Sequence, residues 1–204
     1  MGGLNCVLFQ PPSNPSYSED NRHLFWIYTA ECRKIPAVYF RFPRYYYLHI
    51  AIHVFPARSP PLLQPYLSAA NTILFSHGNA EDIGNVSAWC FSLSQQLGVN
   101  VMAYEYSGYG CSSDGVAPSE ESCYCDIQAA MDYLDSVHGV KPKRVVLFGR
   151  SLGTAVSVRL AEVQEARGEP VRGIVLQSPF TSAGIYFLTI IYDSILLYFN
   201  DIFM

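Results

Sequence analysis

Short apolar runs alternate with longer amphipathic stretches between residues 71 and 184. Four runs rich in aliphatic and β-branched residues predict buried strands: Asn71–Phe75, Val99–Tyr104, Arg144–Phe148 and Val171–Gln177. Stretches with helical periodicity follow the first three runs, at Gly84–Leu97, between Ser119 and Gly139, and at Leu152–Arg167. Apolar strands that alternate with helices are typical of a mostly parallel sheet with helices on both faces. The pattern therefore predicts an α/β fold.

The other residues form three zones that differ from this core. Residues 1–43 are interpreted as an N-terminal arm that leads into two strands, Phe25–Ala30 and Ile35–Phe42. Residues 44–70 contain four prolines within ten residues, which excludes regular structure there and predicts an atypical Pro/Tyr-rich insertion. Residues 185–204 form an apolar tail with Asp193 near its middle. Because this charge opposes membrane insertion, we expect a buried or lid helix in the tail rather than a transmembrane span.

Composition then narrows the classes of function. Half of the residues are apolar and 15% are charged, which is typical of a globular chain. The net charge of -4 argues against a nucleic-acid binder, which normally carries a basic face. The six cysteines include no CxxC pair, so we expect reduced thiols in the core of a cytoplasmic protein. We predict neither a metal site nor an organic cofactor.

The strongest chemical signal is a G-x-S-x-G motif centred on Ser151, with Gly149 and Gly153 on either side. It directly follows a predicted strand and directly precedes a predicted helix, as a nucleophile elbow does. Side chains in place of the two glycines would collide with neighbouring elements. The amide of Leu152, at the start of the helix, would stabilise a developing oxyanion. The alternative is an ordinary glycine-bounded turn with an unreactive serine.

A second signal follows the strand Asn71–Phe75, where the chain reads Ser76-His77-Gly78-Asn79. A loop at this edge of the sheet can supply the second oxyanion donor through its backbone, and Asn79 is our candidate. We interpret His77 as a residue that packs the loop and does not touch substrate. The later segment Tyr104–Gly110 is interpreted as a turn at the end of a strand, because it lacks the third glycine of a dinucleotide-binding loop.

Four motifs together resemble one family of α/β-hydrolases: Leu74–Ala80, Tyr104–Gly110, Gly149–Thr154 and Ser178–Ser182. Their order and spacing are typical of the α/β-hydrolase-domain-containing protein 17 family, which includes membrane-bound palmitoyl-protein thioesterases. The match covers residues 71–184, and the N-terminal segment Phe9–Tyr17 is also similar. The resemblance implies the α/β-hydrolase fold with Ser151 as acyl nucleophile and Asn79 and Leu152 as oxyanion donors.

The chain departs from this family after Ser151. The fold places its catalytic acid and histidine later in the chain than the serine, yet no histidine follows Ser151. We therefore expect that the C-terminal strands are missing and that one edge of the sheet is exposed. A fragment or mispredicted product of a longer hydrolase is our preferred explanation. A truncated relative without catalysis is the alternative.

The N-terminus carries two candidates for lipid attachment, Gly2 and Cys6. The first six residues nearly fit the myristoylation pattern but place Cys6 where Ser or Thr is expected. An ordinary mobile terminus explains these residues equally well. The family resemblance implies peripheral association with the cytosolic face of membranes, through acylated N-terminal cysteines.

The leading hypothesis is a serine hydrolase that cleaves acyl esters or thioesters. The resemblance makes the substrate a palmitoylated protein or a small acyl ester. Two other hypotheses stay open. One is a non-catalytic binding protein, favoured by the missing histidine, and the other is a serine aminopeptidase-like peptidase that cleaves amides.

Overall fold

The computed structural model describes residues 9–42, 71–112 and 115–179, together with the backbone of residues 195–199. The lipidation candidates Gly2 and Cys6 and the predicted insertion at 44–70 lie outside the described residues. Strands and helices occupy most of what is described, and they form one sheet with helices packed on it.

Within the described residues the sheet has seven strands, whose bounds are Leu24–Tyr28 (β1), Lys34–Phe40 (β2), Thr72–Ser76 (β3), Asn100–Tyr104 (β4), Val145–Arg150 (β5), Gly173–Gln177 (β6) and Ile195–Phe199 (β7). Their spatial order is β1-β2-β4-β3-β5-β6-β7. The four central strands β4, β3, β5 and β6 are parallel, whereas β1, β2 and β7 pair antiparallel with their neighbours. The carboxyl ends of the central strands therefore meet at one edge.

In the described part of the chain, three α-helices cover the sheet: Ile83–Leu97 (α1), Glu120–His138 (α2) and Leu152–Ala166 (α3). Strand side chains alternate between two cores, and β3 illustrates the division. Ile73 and Phe75 pack with α1 on one face, whereas Leu74 packs with α2 and α3 on the other. Helices thus lie on both faces, and β3 and β4 are buried along their whole length, as their continuous apolar sequences predict.

Helix ends follow the predicted signals. Ser119 caps α2 by accepting from the amide of Ser122, and Gly139 ends this helix in the left-handed conformation. The first helix starts one residue earlier than predicted, because the Asp82 carboxylate caps it by accepting from the amide of Asn85. Among the described residues, no helix is both long and apolar enough to cross a membrane.

The apolar tail differs from its prediction. Residues Ile195–Phe199 form a strand that pairs antiparallel with β6, so the expected helix is wrong for these five residues. This strand covers the edge of β6 and is itself the last strand on that side of the sheet, so the expectation of an exposed edge stays a prediction that now concerns β7. The reason is physical: the amides and carbonyls of an edge strand need partners, and an Ile/Tyr/Phe-containing run readily supplies them as a strand.

The cysteines follow the prediction in part. The five cysteines in the described ranges are free thiols, and Cys90 and Cys123 are buried in the core. Cys32 is exposed, however, because it lies in the turn between β1 and β2 with a positive φ of 61°. The expectation of a core position is therefore wrong for Cys32.

Candidate active site

Ser151 lies in the turn that joins β5 to α3, at the carboxyl edge of the sheet. Its backbone has φ 49° and ψ -114°, a conformation that costs energy in a residue other than glycine. The neighbouring elements hold this conformation. The amide of Ser151 donates to the carbonyl of Gln177 at the end of β6 (2.9 Å), and the amide of Thr154 donates to the carbonyl of Ser151 (2.9 Å).

The two glycines of the motif allow β5, α3 and β3 to approach closely. A Cβ atom added to Gly149 would lie 2.3 Å from the carbonyl oxygen of Gly153. A Cβ atom added to Gly153 would lie 2.1 Å from the carbonyl oxygen of Ser76. Both separations are far below van der Waals contact with backbone atoms. Only glycine therefore fits at these two positions.

The positive N-terminal end of α3 begins directly after Ser151 in the sequence. Leu152 is the first residue of this helix, so its amide has no acceptor within the helix. The helix is 15 residues long and its dipole favours negative charge at this end. Ser151 and Leu152 are both half-buried. The predicted donor Leu152 thus stands beside the predicted nucleophile.

The β3–α1 loop, residues His77–Asp82, leaves the sheet beside this turn. Its strand β3 pairs with β5, and the last register partners are Ser76 and Gly149. A Cβ atom on Gly78 would lie 3.8 Å from the carbonyl oxygen of Arg150, so the loop and the turn are in contact. The structure therefore brings the predicted donor segment next to the predicted nucleophile.

Asn79 is held by its side chain. The oxygen Oδ1 accepts from the hydroxyl of Tyr109 (2.6 Å) and from the amide of Gln10 (2.9 Å). The hydroxyl of Tyr106 donates to the carbonyl of His77 (2.9 Å), which fixes the residue at the start of the loop. Asn79 is buried, as are both tyrosines. These contacts restrict the orientation of the loop backbone.

His77 forms the fully buried centre of this region. Its Nε2 lies 2.8 Å from Oε1 of Glu105, and its Nδ1 lies 2.9 Å from the carbonyl oxygen of Gly78. Burial by itself lowers the pKa of His77, but the Glu105 carboxylate and the Gly78 carbonyl raise it further than burial lowers it. The imidazole is therefore engaged inside the protein, in keeping with a histidine that packs the loop.

A second carboxylate links the loop directly to the turn. Glu81 accepts from the amide of Gly78 through Oε2 (2.7 Å) and from Nη1 of Arg150 through Oε1 (2.8 Å). Arg150 also donates from Nε to the side chain of Gln177 (3.0 Å), and its guanidinium lies 4.8 Å from the ring centre of Trp89. Glu81 thus ties the candidate oxyanion donors to the residue before Ser151.

A family model described as serine aminopeptidase, S33, matches residues 68–202, which include the turn, the loop and the strands that carry them. The chain belongs to this hydrolase family. In the described part of the chain, no three His, Cys, Asp or Glu side chains converge as a metal site would require.

Relatives of this chain confirm the resemblance seen in the sequence. It is 41% identical over 121 residues to alpha/beta hydrolase domain-containing protein aho-3 of Caenorhabditis elegans, covering 59% of this chain and 34% of that protein. It is 41% identical over 115 residues to human alpha/beta hydrolase domain-containing protein 17B, covering 56% of this chain and 38% of that protein. The chain thus spans little more than a third of the length of these relatives.

Solved structures confirm the α/β-hydrolase fold. An alpha-beta hydrolase from Vibrio vulnificus superposes with a TM-score of 0.62 at 20% identity, covering 88% of this chain and 58% of that chain. The carboxylesterase EstE1, cloned from a metagenomic library, superposes with a TM-score of 0.53 at 18% identity, covering 85% and 49%. At these identities the likeness establishes the fold alone.

Sequence reasoning missed the buried side chains that hold the β3–α1 loop of the candidate site. The segment Tyr104–Gly110 is a turn, as predicted, but it also supplies Glu105, Tyr106 and Tyr109 to the β3–α1 loop. A signal was available, because an acid and two tyrosines directly follow a buried strand that neighbours β3. Glu81 had no such signal, since its partner Arg150 is 69 residues away in sequence.

Proposed function

We propose that this chain carries the nucleophile and oxyanion hole of a serine hydrolase that cleaves acyl esters or thioesters. Ser151 is the nucleophile, and the amides of Asn79 and Leu152 receive the oxyanion. The observation that carries the proposal is the strained backbone of Ser151 at the start of α3, held by the end of β6 and beside the β3–α1 loop. Strained residues that the surrounding structure holds in place cluster at active sites, which supports the proposal.

The chemistry runs in two steps. Ser151 Oγ attacks the acyl carbonyl and loses its proton, and the carbon–sulfur or carbon–oxygen bond breaks as the thiol or alcohol leaves with a proton. Water then attacks the acyl-serine ester, releasing the carboxylic acid and restoring the hydroxyl. The negative oxygen formed in each step is stabilised by amides that are already oriented, so no reorganisation is needed during reaction.

The general base is not assigned to a described residue. His77 faces Glu105 and Gly78 and is fully buried. His138, at the end of α2, lies at the opposite edge of the sheet and packs against Tyr39 and Tyr133. Without a base the first step is slow but remains faster than in water, because an oxyanion hole alone leaves roughly 10³–10⁴-fold acceleration.

Resemblance to the α/β-hydrolase-domain-containing protein 17 family supports a finer proposal about substrate and location. The acyl group is a protein-bound palmitoyl thioester, so that the reaction is depalmitoylation. Membrane association through Gly2 and Cys6 would bring the site to such substrates at the cytosolic face of a membrane. The match to relatives of that group at about 41% identity supports this choice over a free acyl ester.

A second candidate is peptide hydrolysis, which the description of the matching family as a serine aminopeptidase favours. The nucleophile and oxyanion hole would be the same, and the bond cleaved would be an amide. Amide cleavage needs a proton for the leaving amine, whereas a thiolate leaves readily. The two candidates therefore differ in how strongly they depend on a general acid.

Single-turnover acylation of Ser151 tests the proposal and separates these candidates. The chain is incubated with a palmitoyl thioester and with the matching palmitoyl amide, and intact mass and peptide fragmentation report acyl adducts. We expect an adduct on Ser151 from the thioester and none from the amide. Ser151→Ala removes the nucleophile, and Ser136→Ala, in an exposed position on α2, serves as the matched control.

Three results would count against the proposal. Release of thiol that is unchanged in Ser151→Ala would show that another group reacts. Adduct formation at equal rates from thioester and amide would favour the peptidase instead. Absence of any adduct on Ser151 at alkaline pH, where the hydroxyl needs less help from a base, would favour the non-catalytic alternative.

A further inference from the structure

The segment Phe9–Tyr17, here called the N-terminal strap, crosses the β3–α1 loop without forming a helix or strand. Its first residue, Phe9, is buried in the core shared with α2 and α3. The amide of Gln10 donates to the side chain of Asn79 (2.9 Å), and the amide of Ser16 donates to Asp82 (2.7 Å). The strap therefore contacts the loop at both of its ends.

Tyr17, the last residue of the strap, occupies a socket formed by two glycines. A Cβ atom on Gly84, in the first turn of α1, would lie 2.3 Å from Ser16 Oγ and 2.9 Å from the Tyr17 ring. A Cβ atom on Gly110 would lie 2.3 Å from the Tyr17 hydroxyl oxygen. Gly110 also has a positive φ of 52°, which a larger residue adopts only with strain. Both elements that flank the ring thus leave room for it.

The Tyr17 hydroxyl connects two parts of the site. It donates to Oε2 of Glu105 (2.8 Å) and accepts from the amide of Cys111 (2.9 Å). Burial raises the pKa of Tyr17, and the nearby Glu105 carboxylate raises it further, so the hydroxyl keeps its proton and stays a donor. The other oxygen of Glu105 faces His77 at 2.8 Å. One tyrosine hydroxyl therefore orients the carboxylate that holds the buried histidine.

We propose that Tyr17 is a positioning residue for the β3–α1 loop and so for Asn79, one of the two candidate oxyanion donors. The path runs from Tyr17 through Glu105 to His77 and the carbonyl of Gly78, the residue before Asn79. The strap reinforces this path by its direct bond from Gln10 to Asn79. The consequence for reaction rate rests on the proposed function. The consequence for the rigidity of the β3–α1 loop does not.

Tyr17→Phe is the central variant, because it keeps the ring in its socket and removes only the hydroxyl. Glu105 retains the amide of Ile83 as a donor (3.1 Å), so the carboxylate is not left without a partner. Tyr28→Phe is the matched control, since Tyr28 is 67% exposed at the end of β1. Ser16→Ala, which removes a hydroxyl bonded to Asp82, tests the strap by a second and milder change.

Hydrogen exchange of the full chain gives the first readout and needs no catalysis. We expect exchange of the amides in His77–Asp82 to become about tenfold faster in Tyr17→Phe, as loss of one hydrogen bond of about 1.4 kcal/mol would produce. Exchange in α3 should stay unchanged, and Tyr28→Phe should match the wild type. General destabilisation would instead accelerate exchange in α3 as well.

The rate of Ser151 phosphonylation by a fluorophosphonate gives the second readout. We expect the maximal rate to fall about tenfold in Tyr17→Phe while the half-saturating probe concentration stays the same, because the donors act on the transition state. The inference is overturned if Tyr17→Phe leaves exchange in the loop unchanged, whatever the effect of Ser16→Ala. If exchange changes but the wild type is never phosphonylated at Ser151, the positioning of the loop stands and the proposed function fails.

Discussion

At the residue scale, Glu81 shows how one side chain joins two parts of a site. Its two carboxylate oxygens bind different partners, the amide of Gly78 and the guanidinium of Arg150. Both side chains of the ion pair are partly exposed, at 23% for Arg150 and 29% for Glu81. An ion pair in contact with water contributes less than about 1 kcal/mol to stability. The main effect of Glu81 should therefore be on the position of the loop.

Replacement of Glu81 by Gln should lower reactivity more than stability. The glutamine side chain has one oxygen, so it can accept from the Gly78 amide or from Arg150 but not from both. It also lacks the negative charge that attracts the guanidinium. We expect the rate of Ser151 phosphonylation to fall about tenfold, as misplaced donors would cause, whereas the unfolding free energy should change by less than about 1 kcal/mol.

The matched control is Glu162→Gln, which breaks the exposed pair with Arg159 on α3. Phosphonylation of this variant should equal that of the wild type. Equal rates for Glu81→Gln and Glu162→Gln would show that the link between loop and turn has no effect on the reactive serine. Urea denaturation of the same samples supplies the stability comparison.

At the scale of elements, local sequence signals were sufficient where the stabilising contacts are local. Ser119 and Gly139 predict the ends of α2 correctly, because a cap acts within one turn of the helix. Prediction failed where a distant partner decides. Ile195–Phe199 is a strand because β6 offers an edge about twenty residues earlier in the chain, and nothing within the tail itself reveals that edge.

The N-cap residues of α1 and α2, Asp82 and Ser119, accept hydrogen bonds from different parts of the chain. The difference should appear in the stability of variants at the two positions. Ser119 accepts from Ser122 within its own helix (3.1 Å), whereas Asp82 accepts from Asn85 and also from the strap residue Ser16. Ser119→Ala should cost about 1 kcal/mol of unfolding free energy. Asp82→Ala should cost about 2–3 kcal/mol, because Ser16 of the strap loses its acceptor as well.

Urea denaturation of both variants gives this comparison. Asp82→Ala should also free the strap, so hydrogen exchange in residues 9–17 should accelerate in that variant and not in Ser119→Ala. Similar free-energy losses in the two variants, with no change in the strap, would contradict the assignment of Asp82 as a joint cap and anchor.

At the scale of the whole molecule, the α/β-hydrolase fold and the location of Ser151 follow from sequence because strand–helix alternation fixes which edge the turns occupy. The buried contacts that join Tyr17, Glu105 and His77 beside the site cannot be predicted from the sequence. Tyr17 and Glu105 are 88 residues apart, and only the assembled sheet brings β4 and the N-terminal strap together. Such contacts depend on tertiary packing that no local pattern records.

One buried carboxylate makes the stability of the whole molecule depend on pH. Burial raises the pKa of Asp126 from 3.8 to about 6, although the amide and hydroxyl of Ser107 partly oppose this by donating to it. The unfolded chain therefore releases this proton at lower pH than the folded protein. The contribution of Asp126 is most favourable below pH 3.8 and is lost as pH rises to about 6.

Between pH 4 and 6 the wild type should therefore lose about 2 kcal/mol of unfolding free energy relative to Asp126→Asn, which has no such proton to release. The raised pKa of His77 does not interfere, since its stabilisation is complete below its ordinary value of 6.5 and is lost only at higher pH. Urea denaturation of both proteins across this range gives the difference. A parallel pH dependence in the two proteins would contradict an elevated pKa for Asp126.

The most direct test of the central claim is the site at which a fluorophosphonate reacts with the full chain. The probe is applied at alkaline pH, and fragmentation of the labelled protein locates the phosphonyl group. The account predicts that Ser151 reacts about 10³-fold faster than the other serines of the chain, as an oxyanion hole without an assigned base would allow. Labelling spread evenly over several serines, or labelling that persists in Ser151→Ala, would contradict it.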